Sequence, residues 1–295
     1  MKAIILAGGT GSRLYPLTAA IGKQLQAVYD KPLIFYSLTA LIAAKLREFC
    51  IISDPNNLSL IARLLGDGRK LGISIHYVEQ VQPKGVAEAY LLAENFIGSD
   101  SSIMILGDNI FSGGNDISKA VENFKDGGSI FSYRVNNPED YGVIKFGANM
   151  EPLEIVEKPT LPVSKFAIPG AYIYDSTVVA IAKNLVPSER GELEITDINR
   201  AYLKKKALTV NHLSRGYVWI DVGTSKRLHE AASYVEMIEH RQGIKIGCPE
   251  EAALVRGFIS LDQFADLVKS MPTGDYRKYL ETVYEDHQGQ AESTA

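Results

Sequence analysis

Residues 1–32 read MKAIILAGGTGSRLYPLTAAIGKQLQAVYDKP. An apolar run, residues 3–7, leads directly into Gly8, Gly9 and Gly11, with Arg13 two residues beyond the last glycine and Lys23 ten further on. A glycine-rich turn at the end of a buried strand lets backbone N–H groups approach a phosphate chain. Two cations on the same segment can neutralise that chain. The spacing excludes two familiar versions of such a loop. A dinucleotide fingerprint needs G-x-G-x-x-G, but Leu14 stands where the third glycine belongs, and Asp30 is poorly placed for a ribose. The P-loop pattern fails because Lys23 is followed by Gln24.

Outward from this loop, apolar runs of strand length alternate with helical periodicity. Residues 3–7, 49–53, 73–78 and 103–106 read as strands, and residues 32–44, 58–65 and 86–96 as helices. Such alternation predicts a Rossmann-like, doubly wound α/β sheet, mostly parallel, with ligands outside the carboxyl ends of its strands. From residue 129 the pattern changes to short strands at 129–135, 142–146, 153–157 and 167–174, as expected of a smaller, more antiparallel region. Helices are expected at 175–185, 195–206 and 224–241, and strands at 208–213 and 218–221. The predicted organisation is a core over 1–245 and a C-terminal helical segment over 246–295, its polar tail frayed from about residue 285. Within the core, about 1–128 and 205–225 form one part and about 129–204 a second, smaller one.

At 295 residues with 22% charged side chains and a net charge of −4, the chain suits a globular protein without a broad nucleic-acid or membrane surface. It has no apolar run long enough to span a bilayer and no signal-peptide layout, so a cytoplasmic protein is expected. Cys50 and Cys248 are too few for a disulfide framework, and Cys50 reads as core. The five histidines lack metal-ligand spacing.

Further constellations carry chemistry. Gly107–Asp108–Asn109 ends one apolar strand and Asp221 ends another, just before Gly223. Two carboxylates so placed can hold Mg²⁺ together with phosphates and water. Lys158, between Glu157 and Pro159, and Arg190, ahead of Gly191, are candidate anion ligands. Thr196 and Asp197 read as helix caps. Gln80, in the loop Gln80–Val81–Gln82–Pro83–Lys84–Gly85, can read a nucleobase edge through its amide.

Together the segments GGTGSRLYPLT (8–18), LGDNIF (106–111), YGV (141–143), EKP (157–159), RGELEITDIN (190–199) and RGYVWIDVGT (215–224) occur in an order that resembles the sugar-1-phosphate nucleotidylyltransferases. The chain is most similar to their short, bacterial-type glucose-1-phosphate thymidylyltransferases, from residue 1 to about residue 259. The resemblance implies attack by glucose 1-phosphate on the α-phosphorus of dTTP, with Mg²⁺ as cofactor and pyrophosphate leaving. It assigns the nucleotide to Leu6, Gly8, Gly9, Thr10, Gly11, Ser12, Arg13, Gln24, Gln80, Pro83 and Gly85. Gln24 and Gln80 are expected to face thymine and Gly85 to give it room. Arg13, Lys23, Asp108, Lys158 and Asp221 are expected to carry catalysis, Asp108 and Asp221 through the metal. Asn109, Tyr141, Gly142, Glu157, Lys158, Gly170, Tyr172, Arg190 and Trp219 are expected to bind the sugar phosphate.

The resemblance further implies a homotetramer, a dimer of dimers, and entry into dTDP-L-rhamnose or other deoxysugar synthesis. It also implies feedback by dTDP-rhamnose at a second site, weakened here because Phe111–Ser112–Gly113–Gly114–Asn115 and Val255 depart from the usual pattern. A sister enzyme using UTP or another sugar 1-phosphate, and a catalytically silent nucleotide-binding regulator, are the alternatives.

Overall fold

A computed structural model of the chain describes residues 1–293. Its first strand, Lys2–Leu6, sits inside a ten-stranded sheet. Ala3 and Ile5 belong to the core on one face, Ile4 and Leu6 to the core on the other. Both faces are covered, so the strand reads as a continuous apolar run rather than an alternation. Full burial of each isoleucine contributes about 1.5–3 kcal/mol.

The strand pairs in parallel with Glu48–Ser53 and Ser102–Leu106, and Glu48–Ser53 pairs in parallel with Ser74–Glu79. Beyond Ser102–Leu106 the sheet continues antiparallel through Ala171–Tyr174, Gly128–Arg134, Phe166–Ala167, Gly142–Phe146 and Pro152–Glu157. Leu208–His212 joins Gly128–Arg134 in parallel. The sheet is therefore mixed, with its parallel half built from the first 106 residues.

Helix Ile34–Ala43 and the C-terminal helices Pro249–Val255, Leu261–Lys269 and Asp275–Ser293 cover one face, through Leu38, Ala253, Phe264 and Leu280. Helices Val178–Lys183 and Ile195–Lys204, with the segment around Tyr90, cover the other. Local chemistry sets the ends of Pro55–Leu65. Asp54 accepts from the backbone N–H of Asn57 at 3.1 Å, Pro55 occupies the first helical position, and Gly66 stops the helix at φ 63°.

Four expectations change. The helix expected at 86–96 is two short helices, Glu88–Leu92 and Glu94–Ile97, separated at Ala93. The strand expected at 167–174 splits into Phe166–Ala167 and Ala171–Tyr174, because Pro169 has no N–H to donate and Gly170 follows it. The helix expected at 175–185 is confined to Val178–Lys183, since the Asp175 carboxylate caps the turn before it by accepting from Thr177 N–H. The tail is not frayed from residue 285: Asp275–Ser293 is helical, anchored by buried Leu280 and Val283. Residues 294–295 lie outside the described residues. Elements that escaped the sequence reading include the strand Asn109–Ser112, the helix Asp116–Asn123 and the hairpin of Ala27–Val28 with Lys31–Pro32. Among the described residues no helix is long and apolar enough to cross a membrane. Cys50 and Cys248 are free and buried.

Candidate active site

The register of the parallel half builds the site. Leu6 lies opposite Leu106, so the glycine loop and Asp108 leave neighbouring strands at the same edge. Gly107 N–H donates to the Leu6 carbonyl at 2.9 Å. The chain then returns as Asn109–Ser112, paired antiparallel with Val218–Asp221, which sets Asp221 opposite Asn109. Val222 N–H closes the corner on the Asp108 carbonyl at 2.9 Å. Two carboxylates separated by more than a hundred residues in sequence are thus brought to one strand-end corner.

In the loop, Gly9 and Gly11 adopt φ 99° and 59°, and a Cβ on Gly11 would lie 2.8 Å from Thr18 Cγ2. Both observations require glycine. Thr18 Oγ1 donates to the Gly11 carbonyl at 2.8 Å, and buried Leu14 anchors the turn Ser12–Leu14. Thr10 and Ser12 stay exposed. The Arg13 guanidinium reaches across to Gly223, where a Cβ would come within 2.9 Å of it. Lys23 pairs with Asp108. Burial, and then the charge of Asp108, pushes the Asp221 carboxyl up to about 6, against the pull of Lys23, Arg227 and Arg13.

A cavity of about 180 Å³ opens beside this corner. Arg13, Asp108 and Asp221 contribute to its wall. Tyr141, Gly142, Glu157, Lys158, Gly170, Tyr172, Arg190 and Trp219 line it too, as does Asn109. Glu157 accepts from Thr196 Oγ1 at 2.5 Å, and a Cβ on Gly142 would sit 3.1 Å from the same carboxylate. Gly170 packs against Asn109 and Leu106, with no room for a side chain. The Trp219 and Tyr141 rings are tilted together at 4.9 Å. Lys158 holds φ 39°, the left-handed region that non-glycine residues seldom occupy and that concentrates at functional sites.

Several residues are placed differently from the sequence reading. Arg190 reaches the cavity already paired, to Glu194 at 2.8 and 2.9 Å and to Glu192 at 3.1 Å. Thr196 is not the helix cap; Glu194 holds that position, and the threonine serves Glu157. Asp197 pairs with Arg200 at 2.8 Å. Gln24 and Gln80 are buried around Gly8: Gln24 Nε2 donates to its carbonyl at 3.3 Å, and Gln80 Oε1 fills the space where its Cβ would be. Gln80 also donates to Glu88 at 2.8 Å. Pro83 stays exposed in the loop. Gly85, at φ 107°, packs against the Leu193 backbone, 2.4 Å from its would-be Cβ, which itself requires glycine.

Arg227 was missed. It donates to Asp221 at 2.9 Å and to Asp140 at 2.6 Å. The signal was present only as a cation two residues into the helix after the Asp221 turn.

The donor set suits a hard divalent cation. Asp108 and Asp221 offer carboxylate oxygens at one corner, and their mutual repulsion is relieved by positive charge between them. Among the described residues no group of three or more His, Cys, Asp or Glu side chains forms a metal cluster. The remaining ligands of such a cation would come from phosphate and water, as is common for Mg²⁺.

Three comparisons bear on this geometry. The nucleotidyl transferase family model matches residues 2–237. The chain is 45% identical to a glucose-1-phosphate thymidylyltransferase of Neisseria meningitidis over 95% of its length and 98% of the relative's. It is 46% identical to that of Xanthomonas campestris, over 95% of each chain, and 45% identical to that of Mycobacterium tuberculosis, over 95% and 98%. A solved Bacillus anthracis structure, provisionally assigned as a glucose-1-phosphate thymidylyltransferase and holding sucrose, superposes with TM-score 0.74 at 41% identity. It covers 79% of this chain and 94% of that one. A UDP-glucose pyrophosphorylase holding UDP-glucose superposes with TM-score 0.71 at 25% identity, over 80% and 98%.

Proposed function

Because the chain belongs to the nucleotidyl transferase family, we propose that it is a glucose-1-phosphate thymidylyltransferase, converting dTTP and glucose 1-phosphate to dTDP-glucose and pyrophosphate. The observation that carries this reading is one cavity lined both by Arg13 and the Asp108–Asp221 pair and by Glu157, Lys158 and Tyr172. That arrangement suits two phosphorylated substrates meeting end to end.

The reaction is an in-line displacement. An oxygen of the sugar phosphate forms a bond to the α-phosphorus, and the bond from that phosphorus to the β-phosphate oxygen breaks. Such chemistry asks for positioning and charge neutralisation rather than a covalent nucleophile. The glycine loop, residues 8–13, holds the triphosphate by backbone N–H groups. Arg13 neutralises charge developing on the α-phosphate and the departing pyrophosphate, and Lys23 assists through Asp108. Lys158 meets the sugar phosphate as a point charge, and Arg190 helps once its acids yield. Glu157, Tyr172 and Gly142 receive the hexose, whose apolar face packs on Tyr141 and Trp219.

The cavity is lined by three cations, Arg13, Lys158 and Arg190, and by six carboxylates, Asp108, Asp140, Glu157, Glu192, Glu194 and Asp221. Alone, that balance repels polyphosphate. We therefore assign Mg²⁺ to Asp108 and Asp221, where it supplies Lewis-acid neutralisation of the phosphates. The family resemblance supports a cytoplasmic homotetramer whose product enters deoxysugar synthesis such as that of dTDP-rhamnose, with weakened feedback by that nucleotide sugar.

A pyrophosphate-release assay crossing dTTP, UTP and CTP with glucose 1-phosphate and related hexose phosphates tests the reading. The fastest pair is dTTP with glucose 1-phosphate; preference for UTP would move the chain to the uridylyl branch. Adding dTDP-rhamnose to the same assay reads the feedback.

A further inference from the structure

We propose that Arg227 is a positioning residue that couples the sugar-side loop, residues 137–141, to the Asp221 carboxylate. The proposal rests on the transfer reaction above. Arg227 stands in the first turn of helix Ser225–Gln242, where the helix dipole disfavours a cation. Two carboxylates from different parts of the chain hold it there. Nη1 donates to Asp221 Oδ2 at 2.9 Å and Nη2 to Asp140 Oδ2 at 2.6 Å. The guanidinium lies 5.3 Å from the centroid of the Tyr141 ring. The planar fork presents a separate nitrogen to each acid in fixed geometry, which a single ammonium at the end of a shorter stem does not reproduce.

What the fork holds is part of the cavity wall. Asp140 also accepts from Asn137 Nδ2 at 2.5 Å, which ties the loop into a closed turn. Tyr141 follows directly, its ring against Trp219 and its carbonyl accepting from Lys158 N–H at 3.0 Å. Release of Asp140 from Arg227 frees Tyr141 and the backbone of Lys158 together. Release of Asp221 from Arg227 frees one of the two acids that face the nucleotide phosphates. Seating a sugar phosphate on the loop thus orients the carboxylate needed by the other substrate.

Trp219 is the single tryptophan of the chain, so intrinsic fluorescence reports this wall without metal or turnover. The experiment compares full-length wild type, R227Q, R227K, D140N and D140N/R227Q by Trp219 emission, and by KM and kcat with Mg²⁺. R227Q and D140N each red-shift Trp219 emission. They raise KM for glucose 1-phosphate roughly tenfold while moving KM for dTTP less, under about twofold in D140N and about two- to fivefold in R227Q, where Asp221 is also released. The kcat falls further in R227Q than in D140N, because only Arg227 touches Asp221. R227K follows R227Q on the sugar KM, and the double variant is no worse on it than R227Q alone. D140N carries the same test if R227Q does not fold. Wild-type emission in both single variants, or equal loss of affinity for both substrates, overturns the proposal. A wild-type protein without transferase activity overturns the functional reading instead, and the emission shifts still decide whether the loop is held by Arg227.

Discussion

The indole Nε1 of Trp219 donates to Asn109 Oδ1 at 2.6 Å, and the Asn109 amide in turn donates to Asp108 Oδ1 at 2.8 Å. One asparagine thereby links the aromatic wall of the cavity to a carboxylate facing the phosphates. The same Oδ1 accepts from Gly170 N–H at 3.1 Å, so the side chain has one rotamer that satisfies its neighbours. Asn109→Ala strands a buried indole N–H and unpins Asp108. Stability should fall by about 1–3 kcal/mol, and kcat by roughly 10–100-fold. Denaturant melts and steady-state rates on one preparation separate the two effects.

Lys158 combines a strained backbone with a half-exposed ammonium. Lys158→Gly relieves the backbone and removes the charge, whereas Lys158→Ala only removes the charge. Both should raise KM for glucose 1-phosphate by roughly 10–100-fold. The glycine variant should melt at a temperature no lower than the alanine variant. Equal sugar affinity in wild type and both variants would remove Lys158 from the phosphate site.

Away from the cavity, Lys31 is buried between Asp30, at 2.5 Å, and Glu239, at 2.7 Å. This cluster clamps the hairpin of Ala27–Val28 and Lys31–Pro32 to helix Ser225–Gln242. Lys245 also pairs with both acids, so Lys31→Ala leaves them one shared cation and should cost about 1–3 kcal/mol in urea unfolding. A loss below about 1 kcal/mol would place the cluster among ordinary surface pairs.

Glu250 is buried, and burial raises its carboxyl above the usual value against the hydrogen bond from Tyr276 at 2.6 Å. A folded-state pKa above the unfolded value means that the fold favours the neutral acid. Its contribution is therefore full below the unfolded pKa and is lost as pH rises through the folded one. Glu250→Gln keeps an acceptor for Tyr276 and removes the titration. The variant should match wild type near pH 4.5 and exceed it in stability at pH 8. A stability difference independent of pH would contradict this.

The parallel half of the fold was legible because its signals are local: apolar runs, glycine turns and helical spacing follow one another within a few residues. The strand-end carboxylates Asp108 and Asp221 were legible for the same reason. Arg227 was not, because its pairing with Asp140 joins residues 87 apart and leaves no local trace. The strand Asn109–Ser112 hid behind Gly107–Asp108, which reads as a turn and is one, but only for two residues. Gln24 and Gln80 were found as a pair, while their convergence on Gly8 depended on packing. The helix to Ser293 was misread because polar composition outweighed the spacing of Leu280 and Val283.

The central claim is that this cavity joins the two substrates by direct displacement. Phosphorus NMR of the wild-type protein with dTTP, glucose 1-phosphate and Mg²⁺ tests it most directly. The account predicts that both substrates decline together while dTDP-glucose and pyrophosphate appear in equal amounts. Unchanged substrates, or dTTP consumed to dTMP and pyrophosphate without any sugar nucleotide, would contradict it.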